Sequence, residues 1–501
     1  MEAPVLDVAQ SLTGRAWRWR QAPVPLGQAM EDAASRLLLA RGAVPGDLAR
    51  LLNPALRDWL PDPSHFRDMD KAADRLARAI VAGERITLFT DYDVDGATSA
   101  AILARTLVAC GAQPGHYVPD RLLEGYGPSP AAVRTLAEAG TGLLVLLDCG
   151  TQAFAEIAEA RALGLDVIVV DHHKASTELP AALALVNPNR FDEQADGGIA
   201  AAHGSLCTAG LAFLLAVALR RALRARGHFQ GRAEPDLSGL LDLVALGTVA
   251  DVMPLAGLNR AFVALGLRRL AARANAGLAA LLDVAGRTGP VEASDLGFHL
   301  GPRVNAGGRV GTADLGFRLL TTEDPAEARA LAEALDVHNH ERRAIEAAVT
   351  EEALARAETI YQHAHEMLQG IFEEPSAENI EHAKAAIGEI VDAIVADFDI
   401  AGTLISVSKH DQDTFTHCVN VGVYGIALAS QLYPRSSPGH LRELGAGLFL
   451  HDVGKTRVDR AILAKRGRLT PEERAIIRQH PVYGVEVLRK AGAATEECRL
   501  M

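Results

Sequence analysis

What this chain has little of narrows its class before any motif is read. Cysteine is rare, five in 501 residues, at Cys110, Cys149, Cys207, Cys418 and Cys498. An odd, scattered set with no C-x-x-C pair disfavours both a disulfide framework and a structural zinc, and a reducing cytoplasm fits it best. Positive charge is in deficit: 50 Lys and Arg against 63 Asp and Glu leave a formal net charge of −13. That argues against a protein that coats nucleic acid through a global positive field, because such binding rests on basic groups releasing counterions from phosphate. A local basic groove stays compatible with it, and surplus carboxylates suit divalent cations. Long apolar runs are missing too. The longest, near Leu206–Leu219, stops at Arg220 and Arg221, too short to span a bilayer, and the start Met-Glu-Ala-Pro has no basic region leading into an apolar one. No membrane partner is expected. Aromatics are sparse, at 5%.

What is there is ordinary for a soluble globular protein: 49% hydrophobic and 23% charged residues. The length predicts two or three domains. From Glu84 to Asp171 apolar runs alternate with helical patterns: Ile86–Thr90, then Ala97–Ala109, Leu143–Leu147, Phe154–Leu163 and Val167–Val170. This βαβαβ order predicts an α/β domain with a parallel sheet covered on both faces, and sites at the carboxyl ends of its strands. Each of the three strands ends in an aspartate, Asp91, Asp148 and Asp171. Another apolar run, Asp242–Val249, ends at Ala250-Asp251, and a glycine-rich segment follows at Gly301–Gly311. Beyond Pro325 strand signals nearly vanish and helical spacing takes over, which predicts an all-α second domain. The expected boundaries are an N-terminal segment 1–80, an α/β domain 81–325, a helical connector 326–376 and a helical domain 377–501, with the break near Glu358–Gln369.

Asp91-Tyr-Asp93-Val-Asp95-Gly96 places three carboxylates at alternate positions directly after a strand. A calcium loop of the EF-hand kind would need Glu at its twelfth position, where Ile102 stands. Aspartates massed at a strand end repel one another unless cations or hydrogen bonds compensate, so a metal role is expected. Asp171-His172-His173 ends its own strand. Two adjacent imidazoles cannot both face one ion from a regular strand, so one is expected to ligate and the other to face substrate. Oxygen-rich ligation with one imidazole favours Mn²⁺ or Mg²⁺, and two such ions could activate water and clamp a phosphoryl group. Gly301-Pro-Arg303-Val-Asn305-Ala-Gly-Gly-Arg309 combines glycines with two arginines suited to bidentate phosphate contact.

Together these segments resemble the DHH phosphoesterase family, in particular RecJ single-strand-specific exonucleases, over roughly residues 10–358. The likeness begins with Leu52-Asn-Pro-Ala-Leu-Arg57 and Asp68-Met-Asp-Lys71. It implies that Asp93, Asp95, Asp148, His172 and Asp251 hold two metal ions. Asp91, Asp171 and His173 would support them or touch substrate, and Arg303, Asn305 and Arg309 would bind the scissile phosphate. The implied activity is 5′-to-3′ degradation of single-stranded DNA, in repair and recombination. The family's Gly-Gly-His motif and OB-fold are not seen, which predicts a weak grip on long strands.

A second set lies further on. His451-Asp452 follows the apolar segment Leu444–Leu450 and precedes Lys455, while His417 and His480 flank it. Helix packing could gather these around one cation. With Thr416-His-Cys-Val-Asn420, Ile462-Leu-Ala-Lys465, Leu469-Thr-Pro-Glu-Glu473 and His480-Pro-Val-Tyr-Gly484, the region from about Ala377 to Lys490 resembles the HD superfamily, especially HD-GYP cyclic di-GMP phosphodiesterases. The resemblance implies His417, His451, Asp452 and His480 as ligands of Fe²⁺ or Mn²⁺, with Lys455 in a catalytic role. The chain ends at Met501 before that family's later histidine pair and Gly-Tyr-Pro signature, so an incomplete module is expected. Three outcomes follow: a single-stranded-DNA exonuclease, hydrolysis of cyclic dinucleotides or short oligonucleotides in signalling, or an HD part that serves only as a binding or dimerisation module.

Overall fold

The computed structural model describes residues 33–121, 123–396, 400, 402–404, 414–465 and 467–492. The first 32 residues of the expected N-terminal segment, and Cys498, lie outside the described residues. The chain divides into two compact units, 1–342 and 343–501. The division falls within a 49-residue helix, Pro325–Glu373, and the expected break near Glu358–Gln369 lies further along that helix.

The first unit is built on a five-stranded parallel sheet, β1 (Ile86–Thr90), β2 (Gly115–Tyr117), β3 (Leu143–Leu147), β4 (Asp166–Val170) and β5 (Ala184–Val186), in the order β2-β1-β3-β4-β5. Successive side chains of a strand point to opposite faces, and here both faces are buried. Ile86, Leu88, Leu143, Val145, Leu147, Ile168 and Val170 enter one core, shared with the helices Met69–Ala82, Val94–Ala109, Thr208–Ala225 and Leu241–Ala250. Phe89, Leu144, Leu146, Val167, Val169 and Leu185 enter the other, against Pro130–Glu138 and Phe154–Ala162. Burial on both sides is why these strands read as unbroken apolar runs. The apolar run Asp242–Val249 belongs to a helix, Leu241–Ala250, buried in the first core. The glycine-rich segment is helical as well, a π-turn at Leu296–Leu300 running into the helix Gly301–Val310.

In the second unit the described secondary structure is helical. Ala377–Ala396, Thr414–Leu432 and Pro438–Leu450 gather Ile380, Ile387, Val391, Ile394, Val419, Val423, Ile426 and Phe449 into one core. None of the described helices is long and apolar enough to cross a membrane.

Candidate metal centres

Strand register builds the first centre. Thr90 pairs with Leu147, Leu147 with Val170, and Val170 with Val186. The next residue of each strand is therefore level with its neighbours, and Asp91, Asp148, Asp171 and Asn187 form one row across the sheet edge. Asp93 begins the helix Val94–Ala109 as its N-cap, with Oδ1 accepting from the Gly96 N–H at 2.9 Å. Asp95, within the first turn, is buried and accepts from the Thr208 and Ala209 N–H groups at 2.6 and 2.9 Å, the amino end of another helix. Asp148 accepts from Thr208 Oγ1 at 2.9 Å. Its backbone is left-handed, φ 61°, as is that of Val252 beside Asp251, φ 57°. Such strain in non-glycine residues persists where surrounding structure imposes it, commonly at functional sites.

These side chains converge. His172 Nε2 lies 3.4 Å from Asp148 Oδ1, 3.5 Å from Asp251 Oδ2 and 3.9 Å from Asp95 Oδ2. Asp95, His172 and Asp251 could hold one ion, and Asp91, Asp93 and Asp148 a second, each set with ligand atoms within 4.8 Å of one another. Asp148 with His172 and His173 forms a third such set that overlaps both. Burial first, and then the charge of Asp93, push the Asp91 carboxyl up to about 7. Burial, then Asp95 and Asp93, do the same to Asp251, also to about 7. Buried Asp95 and Asp148 shift upward for the same leading reason. Asp91 Oδ1 and Asp251 Oδ2 are buried without a hydrogen-bond partner. A carboxylate cluster that its own protein leaves short of positive charge and of donors is what divalent cations fit.

Asp171 plays a different part. Burial alone would raise its carboxyl, yet the His173 ring and charge, the Thr151 group and nearby N–H groups hold it down at about 2. It accepts from the His172 and His173 N–H groups at 2.7 and 3.1 Å, from the Thr151 N–H at 3.1 Å, and lies 2.7 Å from His173 Nδ1. Asp171 is thus spent on orienting the two histidines, and its bond raises the basicity of the His173 ring, whose side chain is 48% exposed.

The expected phosphate contacts are only partly free. Arg303 donates from Nε to Asp336 at 2.8 Å and from Nη1 to the His299 carbonyl at 2.8 Å. Asn305 Oδ1 accepts from the Val94 N–H at 3.0 Å, which ties its helix to the Asp93 turn. Arg309 is exposed on the same helix. Gly308 permits this seating, since a Cβ there would stand 2.4 Å from the Tyr92 carbonyl oxygen. Several residues were missed from sequence. Asn189 Nδ2 donates to the His172 carbonyl at 2.6 Å, Asn187 Nδ2 to the His173 carbonyl at 2.8 Å, and Thr208 braces Asp95 and Asp148. Tyr126 donates to the Asp148 carbonyl at 2.9 Å, and Arg121 covers the Tyr92 ring. Asn187 follows β5 as Asp91, Asp148 and Asp171 follow β1, β3 and β4, but a three-residue strand is too short for hydrophobic pattern to mark.

The second centre sits where helices end. Asp452, following Pro438–Leu450, is 3% exposed. Its Oδ2 accepts from Lys455 Nζ at 2.5 Å, with His451 Nε2 at 3.6 Å, and its Oδ1 lies 3.2 Å from His480 Nε2. His451 Nδ1 is 2.8 Å from the Leu448 carbonyl and His480 Nδ1 is 2.7 Å from that of Ile477. A carbonyl only accepts, so each ring donates from Nδ1 and turns its Nε2 toward Asp452, the orientation in which a histidine can ligate a metal. His417 completes a set with His451 and Asp452, its ring 5.3 Å from that of His451. Gly454 allows the close approach, since a Cβ would meet the His480 carbonyl at 1.9 Å.

Comparison with known proteins finds a family domain in each unit. The N-terminal domain of the DHH family matches residues 85–248, and the HD domain matches residues 414–500. The chain therefore carries a DHH-family phosphoesterase domain followed by an HD domain. Within the DHH family its homologues are RecJ proteins. The single-stranded-DNA-specific exonuclease RecJ of Dickeya dadantii is 43% identical over 295 residues, 58% of this chain and 50% of that protein. A crystal structure of exonuclease RecJ bound to manganese superposes with a TM-score of 0.52 at 37% identity, covering 60% of this chain and 71% of that one. A cyclic di-GMP phosphodiesterase of Pseudomonas aeruginosa is 36% identical over 108 residues, 21% of this chain and 25% of that protein. The chain spans about half the length of the curated RecJ relatives it matches.

Proposed function

We propose that the first unit hydrolyses phosphodiester bonds of single-stranded DNA from the 5′ end, with Mn²⁺ or Mg²⁺ as cofactor, in a cytoplasmic setting. The observation that carries this reading is the pair of carboxylate sets on one sheet edge, with His172 Nε2 within 3.9 Å of three carboxylates and two buried oxygens unpartnered. Asp93, Asp95, Asp148, His172 and Asp251 would hold the ions, and Asp91 stands beside Asp93 and Asp148 as a further ligand. Bound ions would supply a hydroxide at neutral pH and neutralise the phosphoryl oxygens. The remaining work falls to the chain. Thr208 keeps Asp95 and Asp148 in place, and Asp171 fixes the histidine backbone. His173, made more basic by Asp171, carries a proton on Nε2 toward a phosphate oxygen. Arg309 reaches the DNA backbone, while Arg303, paired with Asp336, holds the helix that presents it. The free, buried thiols of Cys110, Cys149 and Cys207 support the reducing setting.

The test offers manganese-loaded protein 5′-labelled and 3′-labelled single-stranded DNA, the matching duplex, a dinucleotide and cyclic di-GMP side by side. Mononucleotide release from the 5′ end of the single strand, abolished by chelation, is the expected result. Preference for the dinucleotide or cyclic di-GMP at the first unit would replace this reading with the signalling alternative.

A second reading concerns the HD part. The orientation of His451 and His480, each with Nδ1 on a backbone carbonyl and Nε2 toward Asp452, favours a metal site there over a purely structural or dimerising module. Cyclic di-GMP is its proposed ligand, and Lys455 is proposed to contact the phosphate.

A further inference from the structure

Away from the first centre, the first unit contains a cavity of about 650 Å³, inside the roughly 300–1,000 Å³ range of small-molecule sites. It lies at the carboxyl end of Val94–Ala109, the helix whose amino end carries Asp93 and Asp95. Sixteen helical residues separate the two by about 24 Å.

The floor is apolar, formed by buried Leu237, Leu240 and Phe317. The polar groups divide into those already engaged and those left over. Arg105 is engaged: Nε donates to the Leu320 carbonyl at 3.0 Å and Nη2 to the Thr322 carbonyl at 3.4 Å, while buried Asp242 feels its charge. Asn275 caps the helix Ala276–Val284, with Oδ1 accepting from the Leu278 N–H at 3.0 Å. Asp236 gives both oxygens to Ser238. Gln113 and Glu323 remain, both exposed at the cavity and without a hydrogen-bond or ion-pair partner among the described residues.

The cavity therefore presents an apolar floor, a carboxamide that can donate and accept, and a carboxylate that can only accept. Its one lining cation, Arg105, keeps Nε and Nη2 on the Leu320 and Thr322 carbonyls. A phosphoryl group would meet two carboxylates, Glu323 and Asp236, against that single guanidinium. A flat ring with N–H donors along one edge would rest on Phe317 and the leucines and donate to Glu323. We propose that this cavity binds an uncharged, amino-substituted heteroaromatic ring of the guanine type, as the base or nucleoside and not as the nucleotide. The site goes beyond the proposed nuclease activity and does not depend on it.

Isothermal titration calorimetry of the full chain with guanosine and guanosine 5′-monophosphate tests this, using wild type, Gly239→Trp and Glu323→Ala. Gly239 lines the cavity, has no left-handed backbone, and a Cβ there meets nothing within 4 Å, so an indole can fill the space without moving a wall. Guanosine is expected to bind, and its monophosphate at least about tenfold more weakly. Each variant should weaken guanosine at least about tenfold while leaving single-stranded DNA hydrolysis at the parental rate. Glu323 is exposed, so its variant keeps the test intact if Gly239→Trp misfolds by circular dichroism. No heat with guanosine at millimolar concentration, equal affinity for the monophosphate, or parental affinity in folded Gly239→Trp or in Glu323→Ala would each overturn the proposal.

Discussion

The two centres answer the same physical problem in opposite ways. The first masses aspartates on a sheet edge, and burial pushes Asp91, Asp95, Asp148 and Asp251 upward because the protein supplies too little positive charge. The second uses three histidines around one carboxylate, and Lys455 already compensates Asp452 at 2.5 Å. A site in charge deficit depends on its ions for electrostatic balance as well as for chemistry, whereas a balanced site can stand without them. Their scaffolds differ accordingly. A parallel sheet lines up one residue per strand, so carboxylates from distant parts of the chain gather at one edge. Helix ends supply spare carbonyls, which here fix imidazole tautomers.

The strongest test of that contrast is the pair Asp93→Ala and Asp452→Ala in a manganese-dependent assay on end-labelled single-stranded DNA. Asp93→Ala is expected to lower the rate at least about 10³-fold, about 4 kcal/mol. It also removes an N-cap worth about 1 kcal/mol of stability, so circular dichroism accompanies the assay. Asp452→Ala should leave DNA hydrolysis within about twofold of the parent. A large loss in Asp452→Ala would mean that the two centres share one chemistry.

Metal addition separates them next. Mn²⁺ at about a hundredfold its Kd should stabilise the chain by about 2.7 kcal/mol, read by calorimetric melting against a chelated sample. Because the deficit lies in the first centre, most of that gain should vanish in Asp95→Ala and survive in Asp452→Ala. The reverse pattern would place the charge deficit at the wrong centre.

The same contrast decides which elements the sequence makes legible. β1, β3 and β4 were legible because both faces are buried, so apolar runs stop where their aspartates begin. β2 and β5, at three residues each, fall below what hydrophobic pattern can mark. With β5 unseen, Asn187 and Asn189 had no strand end to belong to. The segment 301–311 hides its form for another reason. Its glycines mask a helix, Gly308 allowing that helix to approach Tyr92, and Arg303 turns to Asp336. In the second unit helical spacing and the His451-Asp452 pair were plain, while the carbonyls of Leu448 and Ile477 that aim the imidazoles leave no trace in residue identity.

The missed residues give a smaller effect that sharpens the comparison. The first centre orients His172 at a remove, through Asn189 holding its carbonyl at 2.6 Å, where the second orients its rings directly. Asn189→Ala should therefore lower turnover about 10–100-fold and raise the Mn²⁺ concentration needed for half activity. A fall in melting temperature with an unchanged Mn²⁺ dependence would assign Asn189 to structure alone.

The smallest expected change probes the balanced centre. Lys455→Met removes the ammonium from a carboxylate whose side chain is 4% exposed. An acceptor left buried without its partner costs about 1–3 kcal/mol, so metal-free second-unit stability should fall by that amount. Mn²⁺ should then recover most of the loss, because an ion held by His417, His451, Asp452 and His480 takes over the electrostatic role of the ammonium. In the parent the same Mn²⁺ should stabilise this unit less, since Lys455 already serves the carboxylate. Chemical denaturation of both proteins, each with manganese and with chelator, reads the four states. An equal loss with and without metal would show that Lys455 acts by packing, and that the second centre is no cation site waiting behind a lysine.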